Sequence, residues 1–215
     1  MDKHTLSTVL FQLFPNVCQR RFNKIAQALL KGMEEFLITT PPRQAMWFAQ
    51  CGYESGGFSQ VEENLRYTTA ARLKQVFSVF HTVDPRPYLN NPEALGSYIY
   101  AGKLGNGPVS SGDGYRYRGR GYLQVTGKAN YAWLMPSLGH DIVRDPDYLL
   151  TPVGAARSAC SWWYRHGLNL LADQRDLQAC TRVLVGPSYL GETQRRALWD
   201  QAQALLQVPR ALAMY

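Results

Sequence analysis

Apolar residues along this chain recur at helical spacing far more often than they alternate. In QRRFNKIAQALLKGMEEFLI, Phe22, Ile25, Leu29, Met33 and Phe36/Leu37 share one face against a polar back, which predicts a helix. Leu6 to Phe14, interrupted by Gln12, predicts a shorter amphipathic helix packed on the domain. Thr39-Thr40-Pro41-Pro42 ends one helix and opens the next, over 42–54, with Thr40 at the cap and proline in the first positions. From Thr68 to His81 a further helix is predicted, with Leu73, Val76, Phe77 and Phe80 on its buried side and Thr68 or Thr69 as cap. Asp84-Pro85-Arg86-Pro87 reads as a stiff turn. Helices follow over 92–102, from Gly127 to Met135, through PVGAARSACSWWYRHG up to Gly167, and over about 173–185 and 191–206. Trp162, Trp163 and Tyr164 fall at helical spacing and read as core. Two stretches break the pattern: the glycine-rich loop 102–121 and the strand-like YLQVT behind it. The pattern is that of a mainly α domain.

Composition narrows this little. The 215 residues suit one domain, 1–215, large enough for a core divided into two lobes. Aromatic content of 12% with 18% charged residues excludes a disordered chain. Lys plus Arg exceed Asp plus Glu by 23 − 16 = 7, so the surface favours polyanions, with the arginines scattered and not gathered into an arm. Cys18, Cys51, Cys160 and Cys180 show no C-x-x-C spacing and read as free, buried thiols; a Cys160–Cys180 bridge is the alternative in an oxidising space. The N-terminal apolar run is too short to span a bilayer and lacks a small-residue cleavage site, so synthesis in the cytoplasm without a signal peptide is expected. His81, His140 and His166 lack ligand spacing, and neither metal nor cofactor is expected.

Chemistry concentrates in MWFAQCGYESGGFSQVEENLRYTT, residues 46–69. An apolar helical run leads to Glu54, and Ser55-Gly56-Gly57 then allows a sharp turn beside it. A carboxyl wrapped by aromatic neighbours would lose hydration and hold its proton, as a general acid must. Glu62-Glu63 supplies a second carboxylate, and two carboxyls are the minimum apparatus for glycoside hydrolysis. On spacing alone, such glutamates read more readily as solvated surface, and the catalytic reading is the minority one. The loop 102–121 alternates tyrosine with arginine, a composition suited to stacking either bases or sugar rings. No G-x-x-x-x-G-K-[ST] phosphate loop occurs.

Taken together, YESGGF (53–58), ENLRYT (63–68), YIYAGKLGNG (98–107), GDGYRYRGRGYLQVTGKANY (112–131) and PVGAARSACSWWYRHGLN (152–169) resemble glycoside hydrolase family 19, in its phage endolysin-like branch. The resemblance covers about residues 45–200, with the helices of 1–40 packed on that core. It implies a lysozyme-like two-lobed helical domain with a small β element at the cleft. Carried over by motif, Glu54 is the general acid and Glu63 the second carboxylate, with Glu62 as its substitute. Thr69 falls where a hydroxyl lies near the attacking water. Gln124, Thr126 and Asn130 line the sugar groove, and Tyr115, Tyr117 and Arg118 are weaker matches to it. The implied mechanism is inverting, with carboxyls roughly 6.5–9.5 Å apart around a water.

Two departures stand out. Tyr53 replaces the histidine before the acid, and in TRVLVGPSYLGETQRRAL Val185 and Pro187 replace an asparagine and a glycine of the family block, while Arg195 still aligns. The resemblance implies a bacteriolytic enzyme cutting β-1,4 bonds of peptidoglycan glycan strands. It would act as a monomer, without nucleic acid or stable membrane insertion, and reach the periplasmic wall through a pore-forming partner. The alternatives are a chitinase and a cell-wall-binding module with impaired chemistry.

Overall fold

The computed structural model describes residues 1–207. Its α-helices, in chain order, are α1 (Lys3–Leu13), α2 (Gln19–Glu35), α3 (Pro41–Glu54), α4 (Ala70–Val76), α5 (Pro92–Ile99), α6 (Asp113–Arg116), α7 (Lys128–Leu138), α8 (Pro152–Arg165), α9 (Leu168–Asp173), α10 (Leu177–Val185) and α11 (Glu192–Leu205). The chain divides into two compact units. Among the described residues, one comprises Met1–Val61, Gly121–Leu123 and 149–207; the other comprises Glu62–Arg120 and Gln124–Tyr148. Among the described residues no helix is long and apolar enough to cross a membrane.

In the first unit, α3 packs against α11 and α2 against α8, with α1 laid on α2. The seam is tight because it is built of small residues: a Cβ on Gly32 would lie 3.3 Å from Cys160 Sγ, so α2 meets α8 nearly backbone to backbone. Helix starts follow their caps. Asp2 accepts the Thr5 N–H at 2.8 Å and Thr151 accepts the Gly154 N–H at 3.0 Å, each satisfying a donor the helix cannot. Thr40 occupies the cap position of α3 without a side-chain capping bond; Pro41 and Pro42 have no N–H to cap. Trp47, Trp163, Phe22 and Phe48 are fully buried.

Several expectations are corrected. Leu37, placed on the buried face with Phe36, is 51% exposed, because the chain leaves α2 through a left-handed residue there (φ 59°). Of the aromatic triplet, Trp163 is core and bonds Asn169, but Tyr164 is 48% exposed. Cys18, expected to be buried, is exposed, whereas Cys51, Cys160 and Cys180 are the buried free thiols expected.

In the second unit the predicted helix 68–81 breaks at Phe77, which is extended (φ −122°, ψ 109°), and continues as a 3-10 turn, Ser78–His81. The break lets Leu73 and Phe80 bury together with Leu65, Leu95 and Ile99 while Val76 turns outward. Asn91 caps α5, which stops at Ile99, short of Gly102. The loop 102–121 is more ordered than its glycines imply. Gly114 lies directly on the Gly96 carbonyl, where no Cβ fits, so α6 seats on α5. YLQVT forms no strand. Arg120 and Val125 exchange N–H···O bonds of 3.2 and 2.8 Å around a turn that passes through left-handed Gln124 (φ 50°). The β element thus reduces to the bridges Glu62–Arg120 and Arg120–Val125.

Candidate active site

The first unit presents Glu54 on the last turn of α3. Beyond it Gly56 and Gly57 take positive φ (56° and 70°), and the Gly57 N–H reaches back to the Gly52 carbonyl at 2.7 Å, closing the helix. Ser55 is buried, donating to the Cys51 carbonyl at 2.6 Å and accepting from the Phe58 N–H at 3.0 Å. Phe58 plugs the core beneath, stacked on Trp47 (5.3 Å) and edge-on to Tyr122 and Phe14. Arg21 clamps the Phe58 and Ser59 carbonyls from outside. These bonds fix the turn that follows Glu54.

The surroundings of Glu54 differ from the aromatic wrap expected of it. Its Oε1 is paired with Arg195, a wholly buried guanidinium from α11, and its side chain keeps 29% exposure. Among the described residues, hydrogen bonds reach Oε1 alone. Arg195 is itself immobilised. Nη1 donates to Gln50 Oε1 at 2.7 Å, Nε donates to the Leu190 carbonyl at 3.0 Å, and the guanidinium lies 4.4 Å from the Tyr53 ring centre. Gln50 in turn donates to Thr181 Oγ1 at 2.8 Å. Tyr53, where the family has histidine, is therefore the floor under Arg195. Gly191 lies against that ring, where a Cβ would collide with it. Arg195, matched to a substrate contact by sequence, has no exposed surface to offer a glycan; its partner is Glu54.

The second unit presents Glu63, half-buried. Its Oε1 accepts the Gly119 N–H at 2.5 Å and its Oε2 accepts the Tyr100 hydroxyl at 2.8 Å. The Glu63 N–H donates to the Gly119 carbonyl at 2.9 Å, so this glycine grips both ends of the residue. A Cβ on Gly119 would lie 2.8 Å from Gln124 Oε1, 3.1 Å from Thr126 Oγ1 and 3.4 Å from Glu63 Cβ. Glu63, Gln124 and Thr126, distant in sequence, are thus neighbours around one bare backbone position. Thr126 Oγ1 donates to the Gln124 carbonyl, and exposed Asn130 donates to the Thr126 carbonyl at 2.7 Å.

Glu62 is placed differently. Arg118 pairs with it, donates to the Tyr115 carbonyl at 3.0 Å, and lies 4.2 Å from the Tyr115 ring centre. Glu62 is paired with a cation, whereas the donors on Glu63 are a backbone N–H and a phenol. Both line a depression of about 180 Å³ with Asn64, Arg66, Tyr115 and Arg118. Thr69 is exposed and caps α4, accepting the Arg72 N–H at 3.3 Å. Tyr117 is 3% exposed, its hydroxyl donating to the Val143 carbonyl and its ring edge-on to Tyr131; burial withdraws it from any sugar face. Buried Arg120 braces the loop through the Arg116 carbonyl, Tyr131 and Asp147. No cluster of three metal-ligating side chains occurs among the described residues.

Sequence reasoning passed over Tyr100, Gly119 and Gln50. Tyr100 and Gly119 lie inside quoted motifs, YIYAGKLGNG and RGRG, but nothing in their spacing points at a carboxylate.

Comparison with known proteins supplies the family. The chain is 36% identical over 185 residues to a glycosyl hydrolase family 19 domain-containing protein of Haemophilus influenzae, covering 84% of this chain and 88% of that one. It belongs to glycosyl hydrolase family 19. No protein-family model matches the chain. A bacterial family 19 chitinase superposes with a TM-score of 0.59 at 18% identity, covering 95% of this chain and 96% of that one. Chitinase C from Streptomyces griseus gives 0.54 at 17%, covering 96% and 78%. At such identities these two share the fold, which is mainly α and lysozyme-like.

Proposed function

We propose that the chain is a bacteriolytic, endolysin-type glycosidase that hydrolyses β-1,4 bonds of peptidoglycan with inversion. Glu54 delivers a proton to the leaving glycosidic oxygen, and Glu63 takes one from the attacking water. Thr126 or Thr69 orients that water, while Gln124, Asn130, Tyr115 and Arg118 contact the glycan. The observation that carries this is the contrast between the carboxylates. Glu54 is anchored through Oε1 by Arg195, with Oε2 bonded to no described residue. Glu63 rests on neutral donors beside Gln124 and Thr126.

Peptidoglycan is preferred because a net charge of +7 and a pI near 9.3 attract the anionic polymers of a bacterial envelope. In this proposal the enzyme works as a monomer on the wall side of the inner membrane, reached through a pore-forming partner. Chitin is the second reading, favoured by the chitinases among the fold's neighbours. Parallel digests of purified peptidoglycan and N-acetylglucosamine oligomers, read by mass spectrometry, decide between them. Peptidoglycan fragments with reducing-end muramic acid indicate a muramidase and those with reducing-end glucosamine a glucosaminidase. Cleavage of chitin oligomers alone would overturn the peptidoglycan assignment.

A further inference from the structure

We propose that Tyr100 is a positioning residue for Glu63: its hydroxyl and the Gly119 N–H together fix the rotation of the carboxylate that activates water. The inference rests on Glu63 being the base. A carboxylate has about four lone-pair sites, so two donors settle its orientation and leave sites for a water. Those donors arrive on opposite oxygens, Gly119 N–H on Oε1 at 2.5 Å and Tyr100 O–H on Oε2 at 2.8 Å, which prevents the group from turning about its last bond.

The tyrosine is equipped for this. Its backbone closes α5, with its N–H on the Gly96 carbonyl at 3.2 Å. Its carbonyl accepts from Asn106 Nδ2 at 3.0 Å, and buried Asn106 takes the Lys128 N–H at the start of α7 at 2.9 Å. The hydroxyl therefore hangs from a frame of two helices. Burial, reinforced by the adjacent Glu63 charge, pushes its ionisation far above the usual phenol range, so it remains a donor wherever the enzyme works.

Tyr100 also walls an apolar groove of about 720 Å³, together with Phe77, Val79, Tyr98, Ile99 and Leu104. Removing the hydroxyl leaves that wall intact, which separates positioning from packing. Unlike Arg118 on Glu62, Tyr100 brings no charge, so it aims the carboxylate without neutralising it.

The test is a double-mutant cycle with Tyr100→Phe and Glu63→Ala, assayed on soluble peptidoglycan fragments and on N-acetylglucosamine hexamers, with thermal melts of each variant. Tyr100→Phe is expected to melt as wild type and to lose roughly 10- to 100-fold in kcat, the worth of one hydrogen bond to a charged group, with KM little changed. In the Glu63→Ala background the same change is expected to cost nothing further. Wild-type kcat in Tyr100→Phe, with Glu63→Ala inactive, would overturn the inference and leave the base in place. Equal, additive losses in both backgrounds would show Tyr100 acting elsewhere and overturn it too. Full activity in Glu63→Ala would instead remove the base assignment itself.

Discussion

Two residues show how a single contact changes what a side chain is for. Arg195 was legible in the sequence as part of a block, but its wholly buried guanidinium serves Glu54. Arg195→Met keeps the volume and removes the cation. It is expected to lower kcat at least about 100-fold and to cost about 3 kcal/mol of stability, because Gln50 and the Glu54 carboxylate lose a buried partner. Urea titration and turnover on the same preparation check both numbers. Gly119 makes the complementary case. Its Cβ would push on Gln124, Thr126 and Glu63 at once, so Gly119→Ala is expected to lower kcat about tenfold or more. Its helical content by circular dichroism should stay unchanged, and a fully active Gly119→Ala would show that the three side chains need not converge. Neither effect is legible in a string of letters. Arg195 and Gly119 each act on a glutamate far away in sequence, 141 and 56 positions respectively.

At the scale of elements, periodicity located nearly every helix, because apolar spacing and capping residues are local physics. The bounds of α3 and α8 fall within a few residues of the predicted 42–54 and PVGAARSACSWWYRHG, and α5 begins at Pro92 as predicted. What failed was decided by tertiary contacts. Phe77 interrupts a helical pattern so that Phe80 can join Leu73 in a second small core, and YLQVT alternates like a strand yet turns at Gln124. The turn after α3 carries its own prediction. Gly57 combines φ 70° with a Cβ position 3.0 Å from Phe14 and Val17, so Gly57→Ala should cost roughly 2–4 kcal/mol through strain and overpacking. Activity should fall with the folded fraction. Thr151→Ala, which removes one capping bond remote from either glutamate in sequence, should cost about 1 kcal/mol and leave kcat unchanged. Equal stability of the two variants would refute the assignment of strain to Gly57.

For the whole molecule, buried weak acids set the alkaline limit. Burial pushes Cys180 from 9.0 up to about 12 and raises Cys51 and Cys160 as well. Tyr122 and Tyr131 rise from 10.0 to about 12 for the same reason. Between pH 9 and 12 the unfolded chain releases protons that the folded chain retains, so unfolding is drawn forward and stability falls as pH rises. Below about pH 7.5 these groups add little slope. Urea midpoints should therefore be flat with respect to these groups between pH 6.5 and about 7.5 and drop steeply by pH 10.5; an unchanged midpoint there would contradict the burial of these groups. Family membership was legible in the sequence because five motifs spread over residues 53–169 carry it, whereas the choice of glycan was not, since no one motif names the sugar. The central claim is proton donation by Glu54, and the most direct measurement is reducing-end release by Glu54→Gln, a variant that keeps a hydrogen-bond acceptor for Arg195 but has no proton to give. On whichever glycan the wild type cleaves, the rate should fall by roughly 100-fold or more with the melting curve preserved; release at the wild-type rate would contradict acid catalysis at this residue.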